Sequence, residues 1–283
     1  MSTAQTAPTK FANVNGVKIA YRRFGKPARF PLVYLAHFRA SMDVTDPLLM
    51  NIIAEKREVI LLDNLGVGHS GGSVPDSIPE MGDVVASLLK AIAISKADIL
   101  GFSMGGGTAQ YLGMKYPDLV NKLVLAGTQS GMGEGVVLPP KEVMDGAGND
   151  AQPTEDEFNF LFFYPSETSL ALGRKWFRRI HERQVPGEKR TGFVDGPGIK
   201  AMLTAIFKSA SDPLFYDGLS GVEAPVLVTN GHTDVMAPTP NSFLLQQKLP
   251  NAQLHLYPNS GHGHLFQYPE LYGKHLSLFL DDD

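Results

Sequence analysis

The stretch "LGFSMGGG", Leu100 to Gly107, decides how the rest of the chain is read. It follows the apolar run "ADIL" and places one serine among four glycines. An ordinary loop serine has no use for such neighbours. A serine held in a tight turn between a strand and a helix does. The turn puts it at a strained φ/ψ, and side chains two residues before or after it would strike neighbouring backbone. Gly101-Phe102-Ser103-Met104-Gly105 matches the G-x-S-x-G nucleophile elbow, with an expected strand before it and an expected helix after it. That turn exposes the hydroxyl and aims the first N–H groups of the helix at any oxyanion formed beside it.

Working outward, short apolar runs recur at 31–37, 58–63, 97–103, 121–127, 224–231 and 252–258. Each is rich in Val, Leu or Ile, as expected of strands buried on both faces. Residues 11–24 read as two strands around the turn Asn15-Gly16. Between the runs lie helical patterns. Over 79–94 the residues Met81, Val84, Val85, Leu88, Leu89 and Ile92 fall at helical spacing. Stretches 104–117, 241–250 and 269–280 also read as helices. Strand–helix alternation predicts an α/β fold, with a mostly parallel central sheet flanked by helices and sites at the C-terminal strand ends.

The alternation breaks after residue 130. "GMGEGVV" and "DGAGNDAQPTEDE" are linker-like, and an aromatic-dense helical stretch follows at 158–184. The expected organisation is a core of 1–130 and 220–283, with a helical cap inserted over 131–219. The basic run "RKWFRRIHER" within it reads as a solvated helix face.

Composition narrows the function. The chain has 283 residues, 43% of them hydrophobic, which suits one large α/β domain with an insertion. Lys and Arg number 25 against 29 Asp and Glu, a formal net charge of −4. This acidity argues against nucleic acid as a partner. There is no cysteine, so disulfides, thiolate metal sites and a cysteine nucleophile are excluded. The polar N-terminus and the lack of an ~18-residue apolar run imply neither a secretion signal nor a membrane span. The expected location is the cytoplasm.

A serine hydroxyl needs a base. "SGHGHLFQYPE", after the last expected strand, offers His262 and His264. His262 is preferred, because it follows a short Gly-containing turn, whereas His264 opens the last helical region and reads as structural. The order Ser…Asp…His then calls for an acid between 103 and 262. Asp234, in "NGHTDVMAP", lies in the loop after the penultimate strand and would orient His262. The other reading of Asp234 is an Asx turn ahead of "APTPN". His232 reads as a loop residue.

At this point the chain resembles the α/β-hydrolase superfamily, specifically its capped group of haloperoxidase-like esterases and C–C bond hydrolases. "DNLGVGHSGG" is similar to the family's Asp-x-x-Gly-x-Gly-x-Ser turn, here Asp63, Gly66, Gly68 and Ser70. The resemblance implies an oxyanion hole built from the Met104 N–H and a second donor after the third strand. There the family has His-Gly, and this chain has "AHFRASMD". Phe38 is the preferred donor, with one residue deleted; Arg39 is the alternative, with the glycine substituted. His37 reads as a loop-fixing residue. Arg39 is also a candidate to bind a substrate carboxylate or enolate. Phe162 and Trp176 of the aromatic stretch are candidates to line an apolar pocket.

The expected activity is a serine hydrolase on a small ester, lactone or thioester, with no metal and no cofactor. The same triad could serve C–C bond hydrolysis, perhydrolysis or a cyclisation or condensation step. A different class, a ligand receptor with little turnover, also fits this fold. The expected partner is a small-molecule substrate, with homodimerisation left open.

Overall fold

The computed structural model describes residues 2–146 and 152–282. The linker reading over 147–151 lies outside the described residues. Along the chain run β1 (Lys10–Val14), β2 (Val17–Gly25), β3 (Leu32–Leu35), α1 (Pro47–Ala54), β4 (Glu58–Leu62), α2 (Ile78–Ala91), β5 (Ala97–Phe102), α3 (Met104–Lys115) and β6 (Val120–Ala126). Then come α4 (Lys141–Gly146), α5 (Glu155–Phe162), α6 (Glu167–Arg179), α7 (Gly196–Ser211) and α8 (Leu214–Asp217). The chain closes with β7 (Val226–Gly231), α9 (Pro240–Lys248), β8 (Ala252–Tyr257), α10 (His264–Gln267) and α11 (Pro269–Asp281).

The sheet order is β1-β2-β4-β3-β5-β6-β7-β8. β1 and β2 form the hairpin around Asn15-Gly16, and β2 meets β4 antiparallel. The strands from β3 to β8 pair in parallel. The continuous apolar runs are explained by two-sided burial. Leu32 and Tyr34 of β3 join one core with Leu100, Phe102, Leu227 and residues of α1 and α11. Val33 and Leu35 join the other with Ile99, Leu123, Leu125 and residues of α2 and α3. Helix starts follow local chemistry: Ser77 accepts from the Glu80 N–H, and Thr154 and Glu157 form a reciprocal capping box on α5.

Helices α4 to α7 lie between β6 and β7. Their aromatic cluster does not pack only on itself. Trp176 stacks on Phe266 of α10 at 5.4 Å, and Phe162 packs edge-on to Phe102 of β5 at 5.7 Å. The basic run divides: Arg174, Lys175 and Arg178 are exposed, as expected of a solvated face, whereas Arg179 and Arg183 turn inward. Arg179 makes a two-pronged ion pair with Asp46, the cap of α1, at 2.8 and 2.7 Å. Arg183 reaches Asp43 at 3.1 Å, and Asp43 also takes Arg22 at 2.6 Å and His69 at 2.8 Å. Burial raises the Asp43 carboxyl, but the Arg22 guanidinium and hydrogen bonds from Thr191, Arg22 and His69 bring it down to about 2. Asp43 is therefore a buried anion joining β2, the loop after β4 and the insertion.

Candidate active site

Ser103 sits between β5 and α3 with φ 56° and ψ −120°, a positive φ that non-glycine residues rarely adopt. Its N–H donates to Ala126 O at 2.9 Å, and its own carbonyl accepts from the Gly106 N–H at 2.8 Å. The flanking glycines are steric necessities. A Cβ at Gly101 would overlap Gly105 O, one at Gly105 would overlap Leu35 O, and one at Gly106 would overlap the Thr128 side chain. Close approach of the α3 start to the end of β3 thus brings the Met104 N–H toward the loop at 36–40.

Asp234 and His262 meet beyond the ends of β7 and β8. His262 Nδ1–H donates to Asp234 Oδ2 at 2.7 Å, and both side chains are buried. The other carboxylate oxygen, Oδ1, accepts from the Met236 and Ala237 N–H groups at 2.7 and 2.9 Å. The two readings of Asp234 coexist, one on each oxygen. With Nδ1 committed as donor, Nε2 is left as the acceptor nitrogen; it is buried and has no hydrogen-bond partner. Gly127, at φ 52°, keeps the ring's place open: a Cβ there would lie 3.2 Å from His262 Nδ1. Sequence reading missed Gly127, although a glycine closing an apolar strand was its visible signal.

His264 serves another purpose. Its Nδ1 bonds His262 O at 3.0 Å and its Nε2 bonds Thr229 Oγ1 at 3.0 Å. Burial depresses its imidazole to about 3, so it is neutral at ordinary pH. His37 is likewise depressed to about 3 by burial, and bonds Phe38 O at 2.9 Å. His232 is exposed and bonds Thr233 Oγ1. Asp63 accepts from the Met42 and His69 N–H groups at 2.7 and 2.9 Å, and tethers the loops after β3 and β4.

The loop after β3 is a turn closed by Ala40 N–H to His37 O at 3.1 Å. Arg39 occupies its third position at φ 67°. Its N–H is taken by Met202 Sδ at 3.4 Å. The Phe38 and Met104 N–H groups have no acceptor among the described residues.

Two cavities meet at Ser103 and Phe38. One, of about 170 Å³, is bounded by His37, Arg39, Phe158, Phe162 and Phe193. The other, of about 590 Å³, is bounded by Met104, Thr128, Leu203, Phe215 and Met236, and among the described residues its wall carries no charged side chain. Its rim carries the exposed side chains of Met132, Leu138, Met144 and Phe207. Phe162 therefore lines a cavity, and Arg39 does too. Trp176 does not: it is 1% exposed, packed behind Phe158 and Phe162, because the largest apolar side chain fills the seam between insertion and core. Among the described residues no group of three or more His, Asp or Glu is placed to hold a metal, and no helix is long and apolar enough to cross a membrane.

The α/β hydrolase fold family matches residues 38–269. The chain belongs to that family. An α/β hydrolase fold protein from Chitinophaga pinensis superposes with a TM-score of 0.89 and 34% identity, covering 100% of both chains. The 2-hydroxymuconate semialdehyde hydrolase of Pseudomonas sp. (strain CF600) is 29% identical over 245 residues, 81% of this chain and 80% of its own. The pimeloyl-[acyl-carrier protein] methyl ester esterase of Nitrosomonas europaea is 27% identical over 219 residues, 74% and 79% of the two chains. As an α/β hydrolase with hydrolases for relatives, the chain is an enzyme with hydrolase activity.

Proposed function

We propose that this α/β hydrolase is a serine esterase working through Ser103, His262 and Asp234. One observation carries the reading: the buried Asp234–His262 pair leaves Nε2 without a hydrogen-bond partner, and Gly127, which lies against that ring, borders the same cavity as Ser103. Nε2 takes the proton as Ser103 Oγ bonds to the substrate's acyl carbon. It returns the proton to the leaving oxygen as the acyl–oxygen bond breaks. Water then repeats the sequence on the acyl-enzyme. The Phe38 and Met104 N–H groups are the oxyanion donors in this reading; the amide of Arg39 is already committed.

The uncharged 590 Å³ cavity and its apolar rim suit the larger, apolar part of an ester or thioester, within the ~300–1,000 Å³ usual for ligand pockets. Intact-mass analysis after fluorophosphonate treatment tests the reading. Wild type should gain one adduct and Ser103→Ala none. A folded wild type that stays unlabelled would overturn it.

A second reading has a specific support. Arg39 borders the smaller cavity together with Ser103, a place from which a guanidinium could hold a substrate carboxylate, and one relative is a hydrolase of a 2-hydroxymuconate semialdehyde. On this reading the same serine site cleaves a C–C bond of an acidic ketone. Arg39→Ala would then raise KM for acidic substrates and leave neutral esters unaffected at the binding step.

A further inference from the structure

Resting on the serine-esterase reading, the geometry points to Arg39 as a clamp through which the inserted helices hold the oxyanion donor Phe38 in place. The turn His37-Phe38-Arg39-Ala40 needs a positive φ at its third residue, a position that favours glycine. Arginine has no local reason to adopt φ 67° there. Its hold comes from the insertion, on three sides. The Val194 N–H donates to Arg39 O at 2.8 Å. Arg39 Nε–H donates back to Val194 O at 2.8 Å. The Arg39 N–H points at Met202 Sδ of α7 at 3.4 Å.

Both partners lie more than 150 residues away in sequence, and they add to the two local ties of the turn, Ala40 N–H to His37 O and the His37 ring to Phe38 O. The conformation of Arg39 sets the direction of the peptide preceding it. The Phe38 N–H lies one peptide further back, and the intervening carbonyl, Phe38 O, bonds the His37 ring at 2.9 Å. Loosening the clamp lets the turn relax toward negative φ and swings that N–H off the oxyanion. A glycine-bearing turn would keep its donor aimed whether or not the insertion is seated. Here the donor is aimed only while Val194 and Met202 are in contact with Arg39. The insertion therefore acts on the transition state as well as on substrate binding, and Arg39 is a positioning residue.

Three variants test this on a neutral aryl ester, which removes any role of the guanidinium in binding a substrate carboxylate. Arg39→Ala keeps the strained position and loses the side-chain tie. Its kcat should fall about 10- to 100-fold with KM within about twofold of wild type, the pattern of an interaction made in the transition state. Arg39→Gly adopts the positive φ freely and keeps the backbone ties, so its kcat should lie within roughly fivefold of wild type. Met202→Leu is nearly isosteric and removes only the sulfur acceptor; kcat should fall about threefold.

Hydrogen exchange of the peptide covering 37–40 supplies a readout that does not depend on turnover. It should speed up about tenfold or more in Arg39→Ala and rise in Met202→Leu. Equal losses in Arg39→Ala and Arg39→Gly, a loss confined to KM, or unchanged exchange in both Arg39→Ala and Met202→Leu would overturn the clamp. Should Arg39→Ala fail to fold, Met202→Leu decides. If wild-type Ser103 neither labels nor turns over ester, the esterase reading falls, while the exchange data still decide the clamp.

Discussion

Two turns face each other across this site, and each holds a non-glycine residue at positive φ: Ser103 at 56° and Arg39 at 67°. Their supports differ. Ser103 is held by the sheet. Its N–H is tied to the end of β6, and three nearby glycines let β3, β5 and α3 close around it. Arg39 is held from outside the sheet, by Val194 and Met202 of the insertion. The Ser103 turn is thus tied into the sheet, whereas the Arg39 turn also draws on residues between β6 and β7. One cavity edge can thus be built from two strained turns with different supports, one within the sheet and one that also draws on distant segments.

The sharpest way to break this comparison is at the core turn. Gly105→Val would drive a side chain into Leu35 O and Ala36 O, and backbone there cannot give way. The expected outcome is a loss of about 4 kcal/mol or more, seen as failure to express folded protein or a collapse of the thermal transition. A folded and active Gly105→Val would mean the elbow is softer than its packing indicates.

Gly127→Ala comes next. The new methyl sits at φ 52° and 3.2 Å from the His262 ring. It should lower kcat about 10- to 100-fold, since a displacement near 1 Å is that costly in a catalytic constellation. Steady-state kinetics with a parallel melting curve separate this from unfolding.

Ser103→Gly sharpens the comparison from the other side. It removes the activity and the strain together, and should raise Tm by a few degrees, as release of about 1–2 kcal/mol of backbone strain predicts. Scanning calorimetry checks this; an unchanged or lower Tm would mean the core turn stores no strain.

A further effect is a pH dependence. Burial holds His264 at about 3, below its ordinary value near 6.5, so the folded state binds this proton less readily than the unfolded state. The stability it supports is complete above about pH 6.5 and is lost as pH falls toward 3. His264→Gln should flatten the decline of Tm between pH 6.5 and 4 relative to wild type. Parallel curves would show that the buried imidazole does not govern that decline.

Much of this was readable in the chain. The sheet strands are short apolar runs because two-sided burial demands them, and the elbow announces itself because its glycines sit within five residues of the serine they serve. The sequence put Asp234 and His262 in the loops after the last two strands, and the fold brings their side chains together at 2.7 Å. Trp176 was misplaced, because aromatic content alone cannot say which ring fills a seam and which faces a cavity. The inward turn of Arg179 and Arg183 was missed for a similar reason: a basic run looks the same whether water or a buried aspartate faces it.

The sequence by itself determined the parallel sheet and the strained serine turn, since periodicity and local sterics act over a few residues. Only the tertiary structure committed the Arg39 N–H to a methionine sulfur 163 residues along the chain. It also opened two cavities beside the same serine, one lined by Arg39, Glu142 and Glu157 and one whose described lining is uncharged. Contacts at that separation are set by how helices dock on a sheet, and docking depends on the shapes of surfaces assembled from distant segments, which no local pattern carries.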